Sequence, residues 1–151
     1  MKWAALITWV LTAGGGFVML GLWLRHGGLA KSDRPGRRIR PPLIFGHMAL
    51  AATGLVLWII YVISDTDALA WAGVAVLVPV ALLGFTMLAI WLQRRQGAAE
   101  VVVAGAPVQA GGAGEQSPEQ RFPVPVVVVH GLLAVATLVL AVLASAGVGG
   151  S

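Results

Sequence analysis

Four stretches of this sequence run for more than twenty residues without an acidic or basic chain of full charge, and they dictate what the chain can fold into. They are residues 3–24, 41–64, 68–93 and 124–147. A bilayer core takes about 20 apolar residues of helix to cross, so each stretch is long enough. Lipid offers the backbone no hydrogen-bond partners, so each is expected to be an α-helix. The many Val and Ile residues show no alternation with polar ones, which argues against barrel strands. Only 11% of the residues are charged and 58% are apolar, against about 25% charged in an ordinary soluble domain. That excludes a water-facing globular fold. The expected fold class is all-α, a polytopic four-helix transmembrane bundle, with Pro79 placing a kink inside the third span.

The charged residues report orientation. Nine of the ten Lys and Arg residues fall in two segments, 25–40 and 94–123. The short link between the second and third spans carries Asp65 and Asp67 and no base. By the positive-inside rule both basic segments face the cytoplasm and both termini lie outside. The expected localisation is therefore the cell membrane, multi-pass. Trp23 and Trp91 are expected at the inner interface, and Trp3, Trp58, Tyr61 and Trp71 at the outer one. The cluster from Arg34 to Arg40 reads as a topology signal that also meets anionic lipid headgroups. With the charge explained in this way, nucleic acid is not an expected partner. Residues 96–120, rich in Gly, Ala, Gln and Pro, read as a flexible cytoplasmic loop.

The chain contains an internal repeat. Gly16 to Leu24 and Gly84 to Leu92 agree at six of nine positions, and at the same offset of 68 Trp3-Ala4 falls on Trp71-Ala72. At an offset of 83, Arg38, Pro42 and His47 fall on Arg121, Pro125 and His130, followed by Leu50-Ala51 on Leu133-Ala134 and Leu55-Val56-Leu57 on Leu138-Val139-Leu140. The reading is a tandem duplicated helical hairpin, residues 1–64 and 68–147, with a pseudo-twofold axis along the membrane normal. The first span, which follows Lys2, would otherwise suit a cleaved signal peptide. Its twin in mid-chain argues against that.

Within the spans the ionisable side chains are His47, His130 and Tyr61. An ionisable group inside a membrane span is a functional candidate by default, and the two histidines occupy matched positions. His47 lies five residues after Pro42, about 7.5 Å of helix; Met19 and Met87 fall at a similar depth on the inward-running helices. At helical spacing His47 shares a face with Leu50, Ala51, Gly54 and Trp58, and His130 with Leu133, Ala134, Thr137 and Ala141. Small residues there either allow close helix contact or leave room for a flat ring. The sharpest reading is one haem b between the second and fourth spans, with His47 and His130 as axial ligands of the iron. Met19 or Met87 would replace one histidine or pack against the ring. The plainer reading is that each histidine hydrogen-bonds a neighbouring helix. His26 reads as an exposed residue at a helix end.

Paired histidines on the helices of a four-helix membrane bundle resemble those of small transmembrane b-type cytochromes and quinone-linked membrane anchors. The resemblance rests on His47 and His130 and on the layout of the four spans. It implies one haem near the cytoplasmic side and an electron-transfer or quinone-linked role. Two-haem cytochromes of this kind carry a second histidine pair near the outer face; this chain has none, so it would hold one haem of that path. Quinone, or no cofactor, is the alternative.

Other functions fit the same architecture. A small transporter subunit is one, although proton-driven exporters rely on an embedded carboxylate and no Asp or Glu lies in any span. An accessory or structural subunit of a larger membrane complex, or a homodimer, is another. No Ser or Thr in the spans has a base–carboxylate pair beside it, so hydrolysis is not expected. The absence of cysteine removes thiolate chemistry and Cys-ligated metals. An enzyme is not the leading reading; if redox-active, the chain is an electron-transfer subunit.

Overall fold

Proline pairs and glycines set where the helices begin and end. The computed structural model describes residues 1–30, 39–103 and 117–148, with the backbone alone for 97–103. It contains α1 (Lys2–Arg25), α2 (Pro41–Ser64), α3 (Asp67–Val103), a short 3-10 turn (Pro118–Arg121) and α4 (Val124–Ser145). Pro41 and Pro42 open α2 and Pro125 opens α4, where a missing N–H costs nothing and a fixed φ favours the helix. Arg40 and Pro123, just before them, are extended. At the ends of α1 and α4 the chain turns through Gly27 at φ +77° and Gly147 at φ +76°. The N–H groups of Gly28 and Val148 reach back to the carbonyls of Trp23 and Leu143, both at 2.9 Å. These are paired Schellman closures, whose left-handed position favours a residue with no Cβ. Asp65, at φ 50°, ends α2 in the same conformation.

Among the described residues four helices are long and apolar enough to cross a membrane, and there is no strand. Large apolar side chains cover the outside: Phe17, Ile63, Leu82 and Leu132 are each more than 60% exposed. Soluble monomers rarely present so much contiguous apolar surface. Pro79 lies inside α3 without ending it. That helix also runs to Val103, ten residues beyond the span expected to stop at Gln93. The first part of the stretch expected to be a flexible loop is thus helical, because Gln93 to Glu100 contains good helix formers and only one glycine. The end of that loop, 117–120, enters the 3-10 turn; residues 104–116 and the basic residues Lys31, Arg34, Arg37 and Arg38 lie outside the described residues.

The helices pack unequally. α1 lies along α4 and α2 along α3; α1–α2 and α3–α4 touch less, and the diagonal pairs α1–α3 and α2–α4 make no close approach. The fully buried side chains form two layers. The larger holds Ala5, Trp9, Trp58, Tyr61, Val62, Ala70, Val74, Leu77 and Ala141. There Trp9 and Trp58 meet at 6.1 Å between ring centroids, and Trp58 and Tyr61 at 5.0 Å edge to face. Glycines admit these rings: a Cβ on Gly54 would sit 2.9 Å from the Trp9 indole, and one on Gly73 3.2 Å from Trp58. Trp58 donates its indole N–H to the Lys2 carbonyl at 3.2 Å, and Lys2 pairs with Asp65 at the same end. The smaller layer, at the opposite end, holds Trp23, Ile39, Trp91 and Glu119.

Between these layers the packing changes. Residues 13–22 of α1, 41–50 of α2, 81–90 of α3 and 124–133 of α4 stand at matching levels, as the contacts of Gly16 with His130 and of Gly84 with His47 require. None of these forty residues is buried. Ten residues of helix span about 15 Å. Protein interiors are normally close-packed, so a bundle layer of this depth without one buried side chain is a distinct structural feature.

Candidate functional site

Both histidines lie in that layer, each half-buried and each held in the same way. The Nδ1 of His47 is 3.0 Å from the Val80 carbonyl oxygen on α3, and the Nδ1 of His130 is 2.9 Å from the Thr12 carbonyl oxygen on α1. A carbonyl can only accept, so Nδ1 carries the proton in both rings. The acceptors, Thr12 and Val80, are 68 residues apart, the same offset that relates Gly16 to Gly84.

The glycines make these bonds geometrically possible. A helical carbonyl points along the axis toward the residue four positions on, and a side chain there would cover it. Four residues after Thr12 is Gly16, and four after Val80 is Gly84. A Cβ on Gly16 would lie 3.4 Å from Cε1 of His130, and one on Gly84 would lie 3.3 Å from Cε1 of His47. Each imidazole therefore rests against a glycine and reaches the carbonyl one turn away. Close approach through small residues, joined by a polar bond, is the usual way membrane helices are held together. The plainer expectation, a bond from each histidine to a neighbouring helix, is what the geometry contains.

The same bonds leave each ring one free ligand atom. With Nδ1–H committed to a carbonyl, Nε2 carries the lone pair. Neither Nε2 has a hydrogen-bond partner among the described residues, and neither is sealed inside the protein. Metal-ligating histidines commonly donate their other N–H to a backbone carbonyl, which fixes the tautomer. The donor set therefore fits an iron held by two neutral imidazoles. They do not sit on touching helices, because α2 and α4 are diagonal partners. No group of three or more His, Cys, Asp or Glu residues comes together among the described residues; haem iron, which needs at most two protein ligands, asks for none.

Other residues named from sequence are placed as follows. Met19 and Met87 are half-buried in the same layer, one turn beyond Gly16 and Gly84, and no hydrogen bond engages either among the described residues. The space on the Gly54 side of His47 is not free for a foreign ring, since the protein's own Trp9 fills it. Thr137, above His130, is buried and bonds its own helix at Leu133, with Thr12 at 3.4 Å. Trp23, Trp58 and Trp91 are buried within the protein, whereas Trp3 and Trp71 are at least half exposed. The expectation that all of these tryptophans mark a lipid interface is therefore corrected for the first three. Packing against other helices removed them from the surface. His26 is exposed at the end of α1, its ring bonded to Leu22 at 2.7 Å.

Several functional groups were not named from sequence. The Thr12 and Val80 carbonyls are two, and the signal for them was the glycine four residues on at the repeat offset. Glu119 is another: it is fully buried, pairs with Arg94, and accepts the Ile39 N–H at 3.0 Å. The Ser117-Pro118-Glu119-Gln120 run that holds it is a capping box. Trp23 Nε1, Trp91 Nε1 and Glu119 Oε2 are buried without a partner among the described residues. Beside this end, Arg40, Gln93 and Arg94 rim a groove of about 820 Å³ between α2 and α3, floored by Pro42, Leu43, Gly46, Leu83 and Ile90. Comparison with known protein families, curated proteins and solved structures finds no match for this chain.

Proposed function

We propose that this protein is a multi-pass membrane protein, a helical hairpin written twice in tandem, that binds one haem b through His47 and His130. The observation that carries the reading is the matched pair of imidazoles. Each donates Nδ1–H to a carbonyl and keeps Nε2 free, in a layer about 15 Å deep where no side chain is buried. A pure helix clamp needs the first half of that arrangement and not the second, since close packing would serve it better. Haem would supply reversible one-electron transfer. The chain's own residues orient the rings, exclude water with the Trp9–Trp58 layer, and close the opposite end with Trp23, Trp91 and Glu119.

The role is electron transfer, with a quinone or a protein as the exchange partner. The segments 25–40 and 94–123 face the cytoplasm and meet anionic lipid, with Arg40 and Arg94 at the groove mouth nearest the headgroups. Met19 and Met87 pack beside the ring. The accessory-subunit reading remains the alternative, in which the histidine bonds serve only to fasten helices within a larger complex or a homodimer.

The test is spectroscopic. Protein expressed with ample haem and purified in detergent should show a Soret band. His47→Ala and His130→Ala, checked for unchanged helical circular dichroism, should lose it, and added imidazole should restore part of it. A colourless wild-type protein refutes haem binding and leaves the accessory reading. A band that survives both substitutions refutes the ligand assignment.

A further inference from the structure

The groove between α2 and α3 is basic at one end and apolar along its floor. Every described residue that lines it belongs to these two helices or is Arg40, which precedes α2; neither α1, α4 nor either histidine contributes. Its volume of about 820 Å³ lies within the range of ordinary small-ligand sites, about 300–1,000 Å³. Gly46 stands in the floor. It is itself half-buried, yet a Cβ there would meet no atom within 4 Å. The space above it is the groove.

The groove's length suits a membrane. From Leu83 to Gln93 is ten residues, a rise of about 15 Å, which is half of a hydrocarbon core about 30 Å thick. The apolar floor is thus about one leaflet deep, and Arg40, Gln93 and Arg94 stand together at its headgroup end. The charge there is positive. Arg94 pairs with Glu119, which is fully buried and turned away from the groove. Arg40 is exposed and forms no ion pair among the described residues. The start of α2 offers no backbone donors: Pro41 and Pro42 have no N–H, and the N–H groups of Leu43 and Ile44 both point to the Arg40 carbonyl, at 3.0 and 3.4 Å. Recognition of a head group therefore falls to side chains.

Resting on the multi-pass membrane reading above and not on haem, we infer that this groove binds one anionic phospholipid of the cytoplasmic leaflet. Arg40 pairs with the phosphate, a match that the planar guanidinium makes with two parallel N–H donors, and the Gln93 carboxamide donates to the same head group. One acyl chain lies over Leu43, Gly46, Leu83 and Ile90. A net negative head is required, because a zwitterionic one brings its own cation to a mouth that already holds Arg40 and Arg94.

The experiment titrates detergent-purified protein with phosphatidylglycerol and with phosphatidylcholine of the same acyl chains, and counts bound lipid by native mass spectrometry. Wild-type protein should hold one phosphatidylglycerol, about fivefold more tightly than phosphatidylcholine, as expected for one arginine at a lipid surface. Arg40→Gln, at an exposed site that does not affect folding, should lose that preference. Gly46→Leu, which fills the groove without meeting another atom, should weaken both lipids about tenfold, as loss of two or so buried methylenes implies. Glycerol phosphate, the head without chains, should not displace the lipid at millimolar concentration. A preference unchanged in Arg40→Gln, a one-to-one adduct unchanged in Gly46→Leu, or displacement by glycerol phosphate overturns the inference and leaves the membrane reading standing. Release of the protein from membranes by an alkaline carbonate wash overturns both.

Discussion

Gly54→Ala measures how tightly the outer layer is packed. The new Cβ would lie 2.9 and 3.0 Å from two carbons of the Trp9 indole and 3.3 Å from Val76. Carbon pairs are most favourable at about 3.5–4.0 Å, and an indole wedged between α1 and α2 cannot swing aside as a flexible chain end would. Overpacking of this kind costs about 1–3 kcal/mol. Alanine returns about 1 kcal/mol of helix propensity over glycine, so the net effect is a destabilisation of up to about 2 kcal/mol. Gly46→Ala, in the same helix, provides the reference. No atom lies within 4 Å of its Cβ position, so it should gain the propensity term alone, about 1 kcal/mol. The difference between the two variants isolates the strain. Unfolding of purified protein by denaturing detergent, followed by helical circular dichroism, gives both values. The near-ultraviolet signal of the Trp9–Trp58 pair should weaken in Gly54→Ala only. If Gly54→Ala is as stable as Gly46→Ala, Trp9 does not occupy the space above Gly54.

Two further substitutions test the ends and middle of the bundle. Glu119→Gln keeps an acceptor for the Ile39 N–H but removes the charge facing Arg94; loss of one partner from a buried pair should cost about 3 kcal/mol, seen as faster hydrogen exchange at Ile39 and the 118–121 turn. Thr137→Val removes the Thr12 contact at 3.4 Å and should cost about 0.6 kcal/mol in the same unfolding assay; a loss several times larger would mean that this pair, rather than the histidine–carbonyl bonds, fastens α1 to α4.

Much of the fold could be read before any coordinates. The helix starts at Pro41 and Val124, and the end of α2 at Ser64, follow from proline pairs and a break in apolar residues, which act within a few residues. The end of α3 was placed ten residues early, because polarity marks where a span leaves the hydrocarbon and not where a helix stops. Of the site, His47 and His130 stood out as ionisable groups in apolar helices, whereas their contact with Gly16 and Gly84 appeared only when the helices were packed. The carbonyl acceptors could not be singled out, because every helical residue has a carbonyl and only packing selects which one is exposed. Glu119 looked like one more polar loop residue until the turn carrying it was seen folded onto Arg94 and Ile39.

By itself, then, the sequence determined four apolar helices, where they start, the repeat offsets and the pair of histidines, since these depend on composition and short-range periodicity. Tertiary structure decided that α1 pairs with α4 and α2 with α3, that Trp9 rather than a guest ring fills the space at Gly54, and that Trp23 and Trp91 are buried. All of these depend on which helix faces come together across the bundle. An amphipathic pattern would have announced those faces in a soluble protein. In helices that are apolar all round, shape and a few polar bonds make that choice, and neither can be read along one strand of sequence.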